Sequence, residues 1–65
     1  MRVQVNGELR EVAATTILAL VEELGLDIRK VAVERNLEIV PRSTLADVKV
    51  EDGDDYEIVT FVGGG

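Results

Sequence analysis

The residues best suited to chemistry lie at the end of the sequence, where Gly63, Gly64 and Gly65 follow an apolar segment. Glycine lacks a Cβ atom, so such a tail can enter a narrow cleft in conformations closed to other residues. An α-carboxylate is an anion at neutral pH and becomes a good electrophile only as an acyl-adenylate or similar mixed anhydride. The tail therefore predicts that a partner enzyme activates its carboxylate. The alternative interpretation is that the three glycines are only a frayed chain end.

The remainder of the 65-residue chain offers little catalytic chemistry. It contains no histidine and no cysteine, which excludes imidazole catalysis, thiolate chemistry, disulfides and a cysteine-held iron–sulfur cluster. Neither Ser43 nor Tyr56 has an evident acid–base partner, and a chain this small has little room for a substrate cavity. We therefore expect that this protein is not an enzyme. The acidic loop at residues 52–55 lacks the ligand spacing of a calcium site, and we expect no metal. No phosphate-binding glycine loop is present, so we expect no bound cofactor, and any ATP would be used by the partner.

Charge narrows the choice of partners. Thirteen acidic residues against seven basic ones give a net charge of -6, which disfavours nucleic acid and anionic membranes. The acidic residues concentrate near the end of the chain: Asp47, Glu51, Asp52, Asp54, Asp55 and Glu57. This segment has two interpretations that are compatible with each other. It can be a solvated turn, and it can be a patch that steers docking onto a basic surface. The chain has no apolar run long enough to span a membrane and no signal-peptide pattern, so we expect a cytoplasmic protein.

The sequence opens with a hairpin pattern. Val3 and Val5 alternate with polar residues, and Asn6-Gly7 predicts a type I′ turn followed by a return strand over residues 8–13. That hairpin pairs Arg2 with Glu11 and Val3 with Arg10, unless a bulge shifts the register.

A helix and several short elements follow. Ile17, Leu20, Val21 and Leu24 form one apolar stripe, so we predict an amphipathic helix that Thr15 or Thr16 caps and Gly25 closes. The next elements are a strand over residues 31–35, an extended piece over 38–40 ended by Pro41, a helical turn over 43–47 and an extended segment over 48–50.

The final strand is predicted over residues 56–62. Ile58 and Val62 fall on one face and Val59 and Phe61 on the other, and apolar residues on both faces indicate a central strand. Only Tyr56 and Phe61 are aromatic, so we expect an aliphatic core. Phe61 and Val59 are candidates for partner contact, although core packing is an equal alternative for Phe61.

The order of these elements predicts an α+β fold of the β-grasp type. In this fold a mixed sheet of four to five strands packs on one helix, and we expect the last strand to lie parallel to the first. We assign residues 1–62 to the β-grasp domain and residues 63–65 to a flexible Gly-Gly-Gly tail.

Several sequence pieces resemble one family over essentially the whole chain. They are Val5-Asn6-Gly7-Glu8, Val31-Ala32-Val33-Glu34-Arg35-Asn36, Glu38-Ile39-Val40-Pro41-Arg42 and Val62-Gly63-Gly64-Gly65. On these residues the chain resembles the ThiS family, the sulfur carrier proteins of thiamine (thiazole) biosynthesis.

The resemblance implies a reaction cycle at the tail. An E1-like, ThiF-like adenylyltransferase adenylates the carboxylate of Gly65, and sulfur from cysteine, delivered as a persulfide by a donor such as a cysteine desulfurase, replaces AMP. The resulting thiocarboxylate gives its sulfur to a ThiG-like thiazole synthase, with Gly64 and Gly65 threading the partner clefts. The alternatives are the MoaD-like small subunit of molybdopterin synthase, another ubiquitin-like sulfur carrier or modifier, and a plain β-grasp interaction domain.

Overall fold

The hairpin forms with the predicted register. The structure, a computed structural model, describes residues 1–61. Strand β1 spans Arg2–Val5 and β2 spans Glu8–Glu11, with Arg2 opposite Glu11 and Val3 opposite Arg10. Asn6 and Gly7 have φ values of 51° and 83°, as a type I′ turn requires. No bulge shifts the register, and the second strand is two residues shorter than predicted.

One helix crosses the sheet. Helix α1 spans Ile17–Glu23, and the Thr16 hydroxyl accepts a hydrogen bond from the Ala19 N–H at 3.2 Å, which confirms Thr16 as the cap. Gly25 has a φ of 79° just beyond the helix, the left-handed conformation predicted there. Ile17, Leu20 and Val21 are buried against the sheet, as their spacing predicts.

Short elements connect the helix to the remaining strands. A 3₁₀ turn over Ile28–Lys30 leads into β3 (Val31–Arg35), which pairs with the short β4 (Glu38–Ile39). A second 3₁₀ turn covers Arg42–Thr44 and so begins one residue before the predicted helical turn over 43–47. Residues 48–50 form no strand; only an isolated bridge joins Lys49 to Thr16.

The last strand is central, as predicted. Strand β5 spans Asp55–Thr60, and the sheet order is β2-β1-β5-β3-β4. It runs parallel to β1 and antiparallel to β3. The Asn6 side chain extends the short contact with β1, because its amide donates to the Ile58 carbonyl at 3.1 Å and accepts from the Ile58 N–H at 2.8 Å. The result is the predicted β-grasp arrangement of one helix on a five-stranded mixed sheet.

The core lies between α1 and one face of the sheet. It is mainly aliphatic, but its largest fully buried side chain is Tyr56, with 0% exposure. The expectation of a purely aliphatic core is therefore wrong. A buried tyrosine needs a partner for its hydroxyl group, and Asp54 provides it.

Candidate functional site

The candidate site begins where β5 ends. The Phe61 N–H donates to the Lys30 carbonyl at 2.7 Å, which holds the end of β5 beside the first 3₁₀ turn. The predicted tail residues Gly63, Gly64 and Gly65, together with Val62, lie outside the described residues. Their role in chemistry therefore remains a prediction, and the site consists of the surfaces that flank their point of departure.

An apolar surface flanks this point on the sheet face opposite the helix. Val59 is 57% exposed, Phe61 51% and Ile39 76%. Val59 lies opposite Ala32 in the register, and both line a depression of about 140 Å³ with Ile39. We call Ala32, Ile39, Val59 and Phe61 the open-face patch.

The exposure of Phe61 decides between its two predicted roles. Core packing was one of two predicted roles, and the exposure of Phe61 excludes it, which leaves the side chain available for contact. The inference of a central strand from apolar residues on both faces was right about position. Only the Ile58 face is covered by the helix, however, because Val59 and Phe61 point to solvent.

Two carboxylates border the open-face patch. Glu34 on β3 lies directly opposite Glu57 on β5, and both side chains line the depression with Val59. Neither forms an ion pair within residues 1–61. Like charges placed directly opposite each other on neighbouring strands repel. A cationic group from a partner would relieve that repulsion, so this edge of the patch suits a basic contact.

One member of the acidic segment is buried rather than solvated. Asp54 is only 6% exposed, whereas Glu51, Asp52 and Asp55 are exposed. Its Oδ2 accepts hydrogen bonds from the Tyr56 hydroxyl at 2.8 Å, from Arg35 Nε at 2.9 Å and from the Glu51 N–H at 2.9 Å. The interpretation as a solvated turn is therefore wrong for Asp54, which ties the loop before β5 to β3.

Asn36 completes the polar cluster around Asp54. Its amide donates to Asp54 Oδ1 at 3.2 Å, and its carbonyl oxygen accepts from the Asp55 N–H at 3.0 Å. Asn36 therefore joins the β3–β4 turn to the beginning of β5. The sequence carried one signal for this cluster: Asp54 and Tyr56 are two residues apart, so they share one face of an extended segment.

The cluster sets the protonation of its members. Burial alone would raise the Asp54 pKa, but hydrogen bonds from the Glu51 N–H, Tyr56, Arg35 and Asn36 outweigh it and hold the pKa below its usual value. Burial, reinforced by the bond to Asp54, raises the pKa of the Tyr56 hydroxyl. Both groups are satisfied and inaccessible, so they hold the structure together and are unsuited to acid–base chemistry.

We expect the Asp54 contribution to stability to be lost in acid. Because its folded pKa is depressed, that contribution is full above the pKa of an unfolded carboxyl, about 3.9, and declines as the pH falls through the lower folded value. Urea unfolding of the parent and of Asp54→Asn from neutral pH to strong acid should show a stability gap that narrows only at the acid end. A gap independent of pH would contradict this assignment, and Asp55→Asn serves as the control because Asp55 is exposed.

No group of three potential metal-ligating side chains occurs among residues 1–61. No helix in this part of the chain has the length and apolar character that crossing a bilayer requires.

A family model, a curated relative and a solved structure all point to one family. The model of the ThiS family matches residues 3–65. A sulfur carrier protein ThiS from Thermus thermophilus is 35% identical over 97% of this chain and 98% of its own length. The crystal structure of a thiamine biosynthesis protein (ThiS) from Geobacter metallireducens superposes with a TM-score of 0.84, at 32% identity and full coverage of both chains.

A further relative is much longer. A thiazole synthase from Paramagnetospirillum magneticum is 61% identical over the whole of this chain, which spans 20% of that relative. The chain thus corresponds to about a fifth of that protein.

Proposed function

The chain belongs to the ThiS family, and from this premise we propose that it is a sulfur carrier of thiamine biosynthesis whose Gly65 carboxylate becomes a thiocarboxylate. The observation that carries the proposal is the family match over residues 3–65, which includes the three glycines. The absence of cysteine and histidine is consistent with it, because the chain then offers neither a thiolate nor an imidazole for the chemistry.

The chemistry requires three steps. In the first step a carboxylate oxygen of Gly65 attacks the α-phosphorus of ATP and pyrophosphate leaves, which gives an acyl-adenylate. In the second step the terminal sulfur of a persulfide attacks the carbonyl carbon and AMP leaves as an acyl disulfide forms. A second thiol of the donor then releases the thiocarboxylate by thiol–disulfide exchange. A ThiF-like adenylyltransferase binds the ATP, and a cysteine desulfurase or similar donor supplies the persulfide.

The acceptor in this proposal is a ThiG-like thiazole synthase. A relative that carries this name contains a stretch 61% identical to the whole of this chain. Joining two proteins that act in sequence raises the effective concentration of one at the other. That relative therefore supports the pairing of a carrier with a thiazole synthase.

Intact-mass measurement tests the proposal directly. The parent chain is incubated with the adenylyltransferase, ATP, cysteine and a cysteine desulfurase. We expect a gain equal to the mass difference between sulfur and oxygen, and no gain when ATP is left out. An unchanged mass in the complete mixture, with an adenylyltransferase shown to be active on another carrier, would refute sulfur carriage.

The open-face patch predicts the outcome of a binding experiment. Phe61→Ala should weaken binding to the adenylyltransferase by about tenfold to a hundredfold, because exposed aromatic side chains anchor interfaces. The change should alter the unfolding free energy by less than about 1 kcal/mol, since Phe61 is 51% exposed. Titration calorimetry and urea unfolding measure the two quantities.

A matched control distinguishes the loss of this site from the loss of any exposed apolar side chain. Leu9→Ala removes an apolar side chain that is 62% exposed on β2, at the opposite edge of the sheet. It should leave the affinity unchanged. Equal losses of affinity in the two variants, or a loss of affinity in Phe61→Ala that merely follows a loss of stability, would remove Phe61 from the interface.

A further inference from the structure

Three cationic residues surround the point where β5 ends. The Phe61 N–H donates to the Lys30 carbonyl, so residues 29 to 31 lie beside the end of the strand. The Arg42 guanidinium reaches the same segment. Its Nη2 donates to the Val31 carbonyl at 2.9 Å and its Nη1 donates to the Ile28 carbonyl. Arg42 is thereby fixed beside Lys30 at the exit of the tail.

Two of these cations form no ion pair with a carboxylate of residues 1–61. Arg29 is paired with Asp27 at 2.9 Å. Lys30 and Arg42 are both exposed, and no carboxylate within residues 1–61 forms an ion pair with either. The hydrogen bonds that hold Arg42 are made to neutral carbonyl groups, so its charge is not compensated there. We call Lys30 and Arg42 the exit cations.

The exit cations stand apart from the acidic end of the molecule. The exposed carboxylates of Glu51, Asp52 and Asp55 lie at the start of β5, whereas Phe61 follows its end. Six residue steps of strand separate Asp55 from Phe61, a distance of about 20 Å. The Debye length at physiological ionic strength is about 8 Å, so the exit remains locally positive although the whole chain carries -6.

We propose that the exit cations dock against an acidic rim around the cleft of the adenylating partner. This inference rests on the proposed function, since it concerns the partner that takes up the tail. A cleft that receives residues 62–65 must close around Phe61 and so must approach Lys30 and Arg42.

The reach of the chain distinguishes a protein rim from the bound nucleotide. Four extended residues span at most about 14 Å. With the tail extended in the cleft, the reacting Gly65 carboxylate lies about that far from Phe61, and the exit cations do not reach the phosphates. The complementary charge therefore belongs to carboxylate side chains at the mouth of the cleft.

Charge reversal at Lys30 is the principal test, because the hydrogen bond there uses only the backbone carbonyl. Lys30→Glu should retain the thermal unfolding midpoint of the parent. In a pyrophosphate-release assay with the ThiF-like adenylyltransferase we expect KM for the carrier to rise about tenfold at about 0.1 M salt, with kcat within about twofold of the parent. The difference should shrink at about 1 M salt, where the Debye length is about 3 Å.

Two further variants complete the test. Lys30→Gln should give an intermediate rise in KM of about threefold, as expected for a charge effect. Lys49→Glu makes the same change in net charge at another exposed lysine. The backbone of Lys49 pairs with Thr16, which lies at the opposite end of α1 from residues 28–30. The KM of this variant should stay within about twofold of the parent.

The outcomes separate this inference from the proposed function. If Lys30→Glu and Lys49→Glu raise KM equally, the effect is one of net charge and the docking role of the exit cations is refuted. If KM rises in Lys30→Glu but does not respond to salt, the contact is not electrostatic and the inference also fails. If the parent itself releases no pyrophosphate with an active adenylyltransferase, the proposed function fails instead.

Discussion

Adding one alanine after Gly65, or deleting Gly65, is expected to reduce thiocarboxylate formation by more than about a hundredfold. Either change moves the terminal carboxylate by about 3.5 Å along an extended tail. A misplacement of about 1 Å at a reacting centre can cost about a hundredfold in rate. Intact-mass kinetics with the adenylyltransferase, ATP and the sulfur donor measure the effect.

The two tail variants carry their own controls. Both changes fall after residue 61, so the urea unfolding midpoint should equal that of the parent. Binding to the adenylyltransferase through the open-face patch should also persist, and each variant should therefore compete with the parent. Thiocarboxylate formation at the parental rate on the lengthened chain would show that the chemistry does not require the carboxylate to stand at Gly65.

Removing the Asp54 carboxylate is expected to have the largest effect on stability. Asp54→Ala leaves Arg35 without its buried partner and removes the acceptor of the Tyr56 hydroxyl and of the Glu51 N–H. Breaking a buried ion pair from one side costs about 3–5 kcal/mol, and the lower end applies here because the Arg35 side chain is 23% exposed and keeps Glu51 at 3.5 Å. A single small core supplies about the same amount, so a large fraction of the variant should be unfolded at room temperature. Circular dichroism during urea titration measures the loss.

The neighbouring acid provides the matched control. Asp55→Ala removes the same charge from an exposed side chain that makes no hydrogen bond or ion pair within residues 1–61. It should change the unfolding free energy by less than about 0.5 kcal/mol. Tyr56→Phe, which deletes one hydrogen bond to Asp54, should cost about 1 kcal/mol. Similar stabilities for Asp54→Ala and Asp55→Ala would show that the buried cluster does not hold β5 in place.

Most of the local architecture is predictable from the amino-acid sequence. The Asn6-Gly7 turn, the apolar stripe of α1 with its Thr16 cap and the central position of β5 all follow from short-range patterns. Such patterns work because turn geometry, capping and helix amphipathicity involve residues within a few positions of each other. The candidate contact at Phe61 was also visible as a large apolar residue on the second face of the final strand.

The pairing and burial of polar side chains and the exposure of apolar ones were not predictable in the same way, because they depend on long-range contacts. In the sequence, Asp54 is one acidic residue among several. Its burial depends on Arg35 and Asn36, which lie 19 and 18 positions earlier. The Asn6 side chain likewise pairs with Ile58, 52 positions away. Phe61 stays exposed because the helix covers only the other face of β5. The physical reason is common to all three cases: the partners and the exposure of a side chain depend on neighbours that the fold supplies from distant parts of the chain, and a local pattern does not contain them.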